Sequence, residues 1–163
     1  MKHYTQDMFK TLPWKNGGGI TNEILKIPSK EEFNLRLSMA KIDIDGPFSL
    51  YPGYDRHLII LEGHGIDIPE RLTIRDRAFS FSGESPITAT LINGPVTDFN
   101  VMIRRNWGKA IVEKVSTGVR LQCDNDYLYV FCFERMELWE LNYGEEYTTS
   151  ADSITVGIEL FNQ

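Results

Sequence analysis

The segment Pro13-Trp14-Lys15-Asn16-Gly17-Gly18-Gly19-Ile20-Thr21-Asn22-Glu23-Ile24 concentrates reactive groups around three consecutive glycines. Glycine lets the backbone take positive φ or approach a ligand closely. An indole, an ammonium, a carboxamide, a hydroxyl and a carboxylate flank the run. The plainer alternative is a flexible turn before a strand, since glycines punctuate loops generally. A phosphate loop does not fit. That motif needs Gly-x-x-x-x-Gly-Lys-Ser/Thr between a strand and a helix, whereas here the glycines follow Lys15 and precede a strand-like stretch.

Further candidates sit on polar strand faces. Arg36 and Ser38 share one face, Asn100 and Arg104 another, and Asp55 and Arg56 follow the Pro52-Gly53 turn. In an open antiparallel sheet such residues simply face water. In a small barrel one face points inward, and a buried charge then needs a partner. Arg36 with Glu23 or Asp55 is a reasonable pairing. A guanidinium left unpaired is a carboxylate clamp, because its planar fork matches that group bidentately. Trp14 then supplies an apolar wall, Lys15 a point charge and Glu23 an acceptor, with Asn16 and Thr21 between them. Each has a bland counterpart: a packing aromatic, a solvated lysine, a carboxylate that only satisfies an arginine. Ser38 and Ser49 have no recognisable base nearby in sequence, so nucleophilic catalysis finds little support.

The elements that must hold these residues are short strands. Phe33, Leu35, Leu37 and Met39 alternate with Asn34, Arg36, Ser38 and Ala40, and Phe99, Val101 and Ile103 alternate with Asp98, Asn100, Met102 and Arg104. Period two gives one apolar and one largely polar face per strand. No long segment has helical periodicity; the best helix candidate is a short turn near Gln6 to Lys10. Turn signals stand at Asp45-Gly46-Pro47, Tyr51-Pro52-Gly53, Gly83-Glu84-Ser85-Pro86 and Asn93-Gly94-Pro95. A weak repeat with an offset of roughly 70 residues relates Leu58–Leu61 to Leu128–Phe131, Ile66–Ile68 to Met136–Leu138, and Ser85–Leu91 to Ser153–Leu160. It favours a duplicated barrel among the all-β folds.

The residues also carry a resemblance. Trp14-Lys15-Asn16-Gly17-Gly18-Gly19 with Thr21 and Glu23, then Arg36-Leu37-Ser38-Met39-Ala40, then Gly46-Pro47-Phe48-Ser49 leading into Pro52-Gly53-Tyr54-Asp55-Arg56, then Asp98-Phe99-Asn100-Val101-Met102, resemble the HutD/Ves family in content and order. From about Gly108 on, only the general pattern matches. The resemblance implies an all-β bicupin, two cupin-like barrel halves fused in one compact domain spanning 1–163, with halves of roughly 1–105 and 106–163. It also implies a link to histidine utilisation and binding of a pathway intermediate, without an established catalytic activity.

Composition bounds the rest. The chain has 163 residues, enough for a sizeable core. Its net charge of −6 argues against sequence-independent nucleic-acid binding, which usually presents a basic face. No run approaches the ~20 apolar residues of a membrane helix, and no signal-peptide core is present, so a cytoplasmic setting is expected. Cys123 and Cys132 read as small buried residues, with a disulfide as the minor alternative. His3, His57 and His64 lack the His-x-His spacing of metal-binding cupins, so neither a metal nor another cofactor is expected. The residues expected to line a ligand site are Trp14, Lys15, Asn16, Thr21, Glu23, Arg36, Ser38, Asp55, Arg56, Asn100 and Arg104. The favoured reading is a metal-free binding protein for a small carboxylated metabolite, regulatory in histidine utilisation. No nucleic acid or membrane partner is expected, and a homodimer stays open. The alternative is an isomerase or hydrolase using Glu23, Asp55 or His57 as acid or base. A protein-interaction module would instead expose a large apolar patch.

Overall fold

The computed structural model describes residues 1–162, which form strands joined by turns, with no α-helix among them. In chain order the strands are β1 (Lys2–Thr5), β2 (Lys10–Pro13), β3 (Gly19–Ile27), β4 (Leu35–Ile42), β5 (Gly46–Pro47), β6 (Tyr54–Glu62), β7 (Ile66–Ile68), β8 (Glu70–Leu72) and β9 (Phe79–Ser82). They continue as β10 (Thr88–Leu91), β11 (Val96–Arg104), β12 (Gly108–Val115), β13 (Arg120–Gln122), β14 (Tyr127–Cys132), β15 (Glu137–Asn142), β16 (Glu146–Thr148) and β17 (Ser153–Leu160). The helix candidate near Gln6 to Lys10 is a single 3₁₀ turn at Gln6–Met8. The fold is cupin-like and all-β, as the alternating pattern and the resemblance imply.

The chain divides into two compact units. The larger is Phe9–Arg105; the smaller combines Met1–Met8 with the residues from Asn106 onward. The first eight residues join the smaller unit because β1 pairs antiparallel with β15, matching Lys2 to Glu140 and Tyr4 to Leu138.

In the larger unit, a six-stranded sheet runs β2-β3-β4-β11-β6-β9 and a four-stranded sheet runs β5-β10-β7-β8. Ala40, Ile42, Leu58, Ile60 and Val96 of the first pack with Ile66, Ile68, Leu72 and Ala89 of the second, joined by Ile87. The opposite face of the six-stranded sheet carries Leu35, Leu37, Phe99, Val101 and Ile103, all fully buried. Period two thus gives β4 and β11 two buried faces, one of them partly polar.

In the smaller unit a five-stranded sheet runs β1-β15-β14-β17-β12, beside the β13-β16 pair. Leu128, Val130 and Leu141 pack with Cys123. Cys123 and Cys132 are buried free thiols. The topology revises one part of the repeat. β17 lies between β12 and β14 as β11 lies between β4 and β6. The counterpart of Ser153–Leu160 is therefore β11 and not Ser85–Leu91, which contains β10.

Candidate functional site

The larger unit contains a cavity of about 450 Å³, walled by the polar end of its six-stranded sheet and the glycine hairpin. Its floor follows from register. Across β4, β11 and β6, Arg36, Met102 and Arg56 form one row, Ser38, Asn100 and Leu58 the next, and Ala40, Asp98 and Ile60 the third. β3 adds Thr21 beside Ala40 and Glu23 beside Ser38. Same-face residues on adjacent strands are neighbours, so residues far apart in sequence meet here.

The glycine run is a tight hairpin between β2 and β3 that seats Trp14. The Trp14 amide donates to the Gly19 carbonyl at 2.9 Å, and the Gly17 amide to the Trp14 carbonyl at 3.1 Å. Gly17 has φ +71°, which favours glycine. Gly19 answers a different need: a Cβ there would lie 2.5 Å from the Lys41 carbonyl oxygen and 3.1 Å from the Trp14 ring. The Gly18 amide donates to Asn16 Oδ1 at 2.8 Å, and the Trp14 indole to Thr21 Oγ1 at 2.8 Å. The three glycines thus serve chain packing around an indole that faces the cavity.

Arg56 is the principal cation of the wall. It is 5% exposed. Its guanidinium carbon stands 4.9, 5.4 and 5.6 Å from the ring centres of Phe81, Tyr51 and Phe48, favourable cation–π distances. Nη1 donates to the Ser49 carbonyl at 3.1 Å, while Nε has no partner. Burial works against its charge, offset in part by Asp98 and Tyr51. Arg56 makes no ion pair within 4 Å among the described residues. Arg36 differs: its Nε donates to Glu23 Oε2 at 2.9 Å.

Asp98 is 2% exposed, and its cross-strand neighbours Ala40 and Ile60 are apolar. Burial pushes its carboxyl up to about 7, against the pull of Arg56 and a hydrogen bond from the Ala40 backbone. Asp98 Oδ1 and Asn100 Oδ1 lack hydrogen-bond partners, as does Arg56 Nε. Buried polar groups are normally paired. One cavity wall thus holds three unpaired polar atoms, a donor on Arg56 and acceptors on Asp98 and Asn100.

Of the residues expected from sequence, Trp14, Lys15, Asn16, Thr21, Arg36, Ser38, Arg56 and Asn100 line this cavity. Glu23 stands behind Arg36 as its ion-pair partner. Two are corrected. Asp55 points to the other side of β6 from Arg56, because adjacent strand residues alternate, and pairs with Arg105 at 2.9 Å. Arg104 lies beyond Met102 on β11, and its guanidinium bonds the Phe33 carbonyl and the Tyr54 hydroxyl. His57 also faces away from Arg56 and bonds Ser80 Oγ at 2.7 Å. Sequence reasoning missed Asp98, Phe48 and Tyr51; Asp98 was findable, since it shares its strand face with Asn100.

The sequence profile of one family matches residues 6–156, that of HutD. The chain belongs to the HutD family. It is 39% identical over 101 residues to an uncharacterized 21.2 kDa protein in the hutC 3′ region of Pseudomonas putida, a match covering 58% of this chain and 53% of that protein. It is 39% identical over 106 residues to Protein Ves of Citrobacter koseri, covering 61% and 56%. The matched stretches thus span little more than half of these curated relatives. Among solved structures, HutD from Pseudomonas fluorescens SBW25, in a formate condition, superposes with a TM-score of 0.88 over 99% of both chains at 24% identity. That likeness speaks for the HutD fold.

Proposed function

We propose that the cavity of the larger unit binds a small carboxylated metabolite, and that the chain acts in a cytoplasmic, regulatory and non-catalytic role in histidine utilisation. The observation that carries the reading is Arg56: a buried guanidinium, held by three aromatic rings, with a free Nε and no carboxylate within ion-pair distance. Such a group gains most from an anion that supplies the missing acceptor. HutD-family membership and a relative in the hutC 3′ region support the link to histidine breakdown. A thermal-shift screen with carboxylated intermediates of histidine breakdown and with unrelated dicarboxylates tests it. A ligand specific to the folded state raises the melting temperature by mass action. No shift with any carboxylate would remove the reading.

The place of Asp98 favours a second reading, turnover by general acid–base chemistry: a buried carboxyl with an unpaired Oδ1 lines the cavity, and burial pushes it up to about 7. Disappearance of a bound metabolite on incubation with the purified chain would support it over simple binding.

A further inference from the structure

We infer that Asp98 competes with the ligand for Arg56, so that capture of an anion in this cavity is accompanied by uptake of one proton on the Asp98 carboxyl. The inference rests on the carboxylate-binding reading and adds a regulating variable to it.

Asp98 and Arg56 are the two buried charged residues of this cavity wall. They attract one another electrostatically without forming a close ion pair. An ionised Asp98 therefore offsets the charge of Arg56 from two rows away on the same sheet face. A carboxylate drawn to Arg56 meets Asp98 as a like charge in a poorly solvated space, where repulsion is strong. A neutral Asp98 removes that repulsion, and its O–H becomes a donor to the incoming anion. Two orphaned atoms are explained together: Oδ1 of Asp98 gains a partner as donor, and Nε of Arg56 gains an acceptor.

The surrounding charges leave Asp98 as the variable group. Strand β4 offers Ala40 opposite Asp98, and Arg36 further along, already paired with Glu23 of β3. Strand β6 offers Ile60 and Arg56. Lys15 of the glycine hairpin and Tyr51 of the loop before β6 complete the titratable lining. On β11 itself the same-face neighbour is Asn100, which does not titrate. His57 belongs to the opposite side of β6, bonded to Ser80.

The sign follows from linkage. If the anion prefers the protonated form, raising pH through the Asp98 transition weakens binding, and bound anion raises proton affinity by the same factor. Isothermal titration of the full chain with glutarate, across pH 6 to 9 and in two buffers of different ionisation enthalpy, measures affinity and proton uptake together. Affinity should fall about 5-fold from pH 7 to 8 and about 10-fold over the next unit, with close to one proton taken up per glutarate at the alkaline end. Asp98→Asn, which keeps the shape without the titration, should bind with little pH dependence and no uptake. His57→Gln should retain the wild-type slope. Glutarate binding with a flat profile and no proton uptake overturns the inference and leaves the carboxylate reading standing. An unchanged slope in Asp98→Asn also overturns it. Failure of glutarate, acetate and formate to bind at any pH removes both. Should Asp98→Asn not fold, the wild-type proton count decides alone.

Discussion

Nε of Arg36 donates to Oε2 of Glu23 at 2.9 Å, with the two side chains only 13% and 11% exposed. The pair makes Arg36 a structural residue first and a cavity-lining residue second. Removing one partner of a nearly buried pair strands the other charge, which costs more than the pair contributes. Arg36→Met should therefore destabilise the chain by about 1–3 kcal/mol, and Arg36→Met with Glu23→Gln should recover part of that loss. Urea unfolding of the single and double variants gives the coupling energy. Additive losses would mean the pair is not a unit.

Arg56 should behave in the opposite way. No carboxylate stands within ion-pair distance of it, so Arg56→Met strands no close acidic partner, and methionine still packs against Phe48, Tyr51 and Phe81. Carboxylate binding should weaken by about 2–5 kcal/mol, as for loss of a buried, hydrogen-bonded charge contact. Calorimetric titration with the best ligand of the thermal screen checks this. Unchanged affinity would take Arg56 out of the site.

The glycine hairpin predicts a contrast between two alanine substitutions. At Gly19 a new Cβ meets backbone at 2.5 Å, so Gly19→Ala should cost about 1–3 kcal/mol through overpacking and a displaced Trp14. At Gly46 a Cβ meets nothing within 4 Å and φ is ordinary. Gly46→Ala should stay within about 0.5 kcal/mol of wild type. Intrinsic tryptophan fluorescence read during thermal unfolding of both variants and wild type measures the two costs.

Asp98 sets a pH dependence in the unliganded chain. Burial pushes its folded carboxyl up to about 7, against an ordinary 3.8. Between these values the folded state binds the extra proton, so this contribution is full below about pH 4 and is lost as pH rises through 7. Relative to Asp98→Asn, wild type should lose up to about 4 kcal/mol between pH 4 and pH 8. Parallel denaturant titrations at several pH values check the difference. A constant difference would mean that Asp98 ionises normally despite its burial.

Much of this site was legible in the sequence because strand parity is legible. Arg36 with Ser38, and Thr21 with Glu23, share faces at spacing two; Arg36, Ser38 and Thr21 line the cavity, and Glu23 stands behind Arg36 as its ion-pair partner. The same rule separates Asp55 from Arg56, an exclusion that adjacency in a resembling segment obscured. Arg104 obeys parity but not reach: it lies a step of roughly 7 Å past Met102 along the strand, where Phe33 and Tyr54 take its hydrogen bonds. Two features were beyond pattern reading. Pairing of β1 with β15 is a contact between distant segments that no local periodicity encodes. The position of β17 beside β14 depends on sheet order, which similar strand patterns do not distinguish.

Strand β11 carries the cavity on Asp98, Asn100 and Met102 and a fully buried apolar layer on Phe99, Val101 and Ile103. One stretch of chain therefore presents two faces with separate tasks, one lining the cavity and one packed in the core. Changes at the even positions redraw what the cavity accepts, while the odd positions keep the sheet packed. A combinatorial library at 38, 98, 100 and 102 should yield many folded members with altered cavities, and one at 99, 101 and 103 few. That separation offers a route by which a lineage built on this barrel could reshape its cavity without first passing through an unstable ancestor.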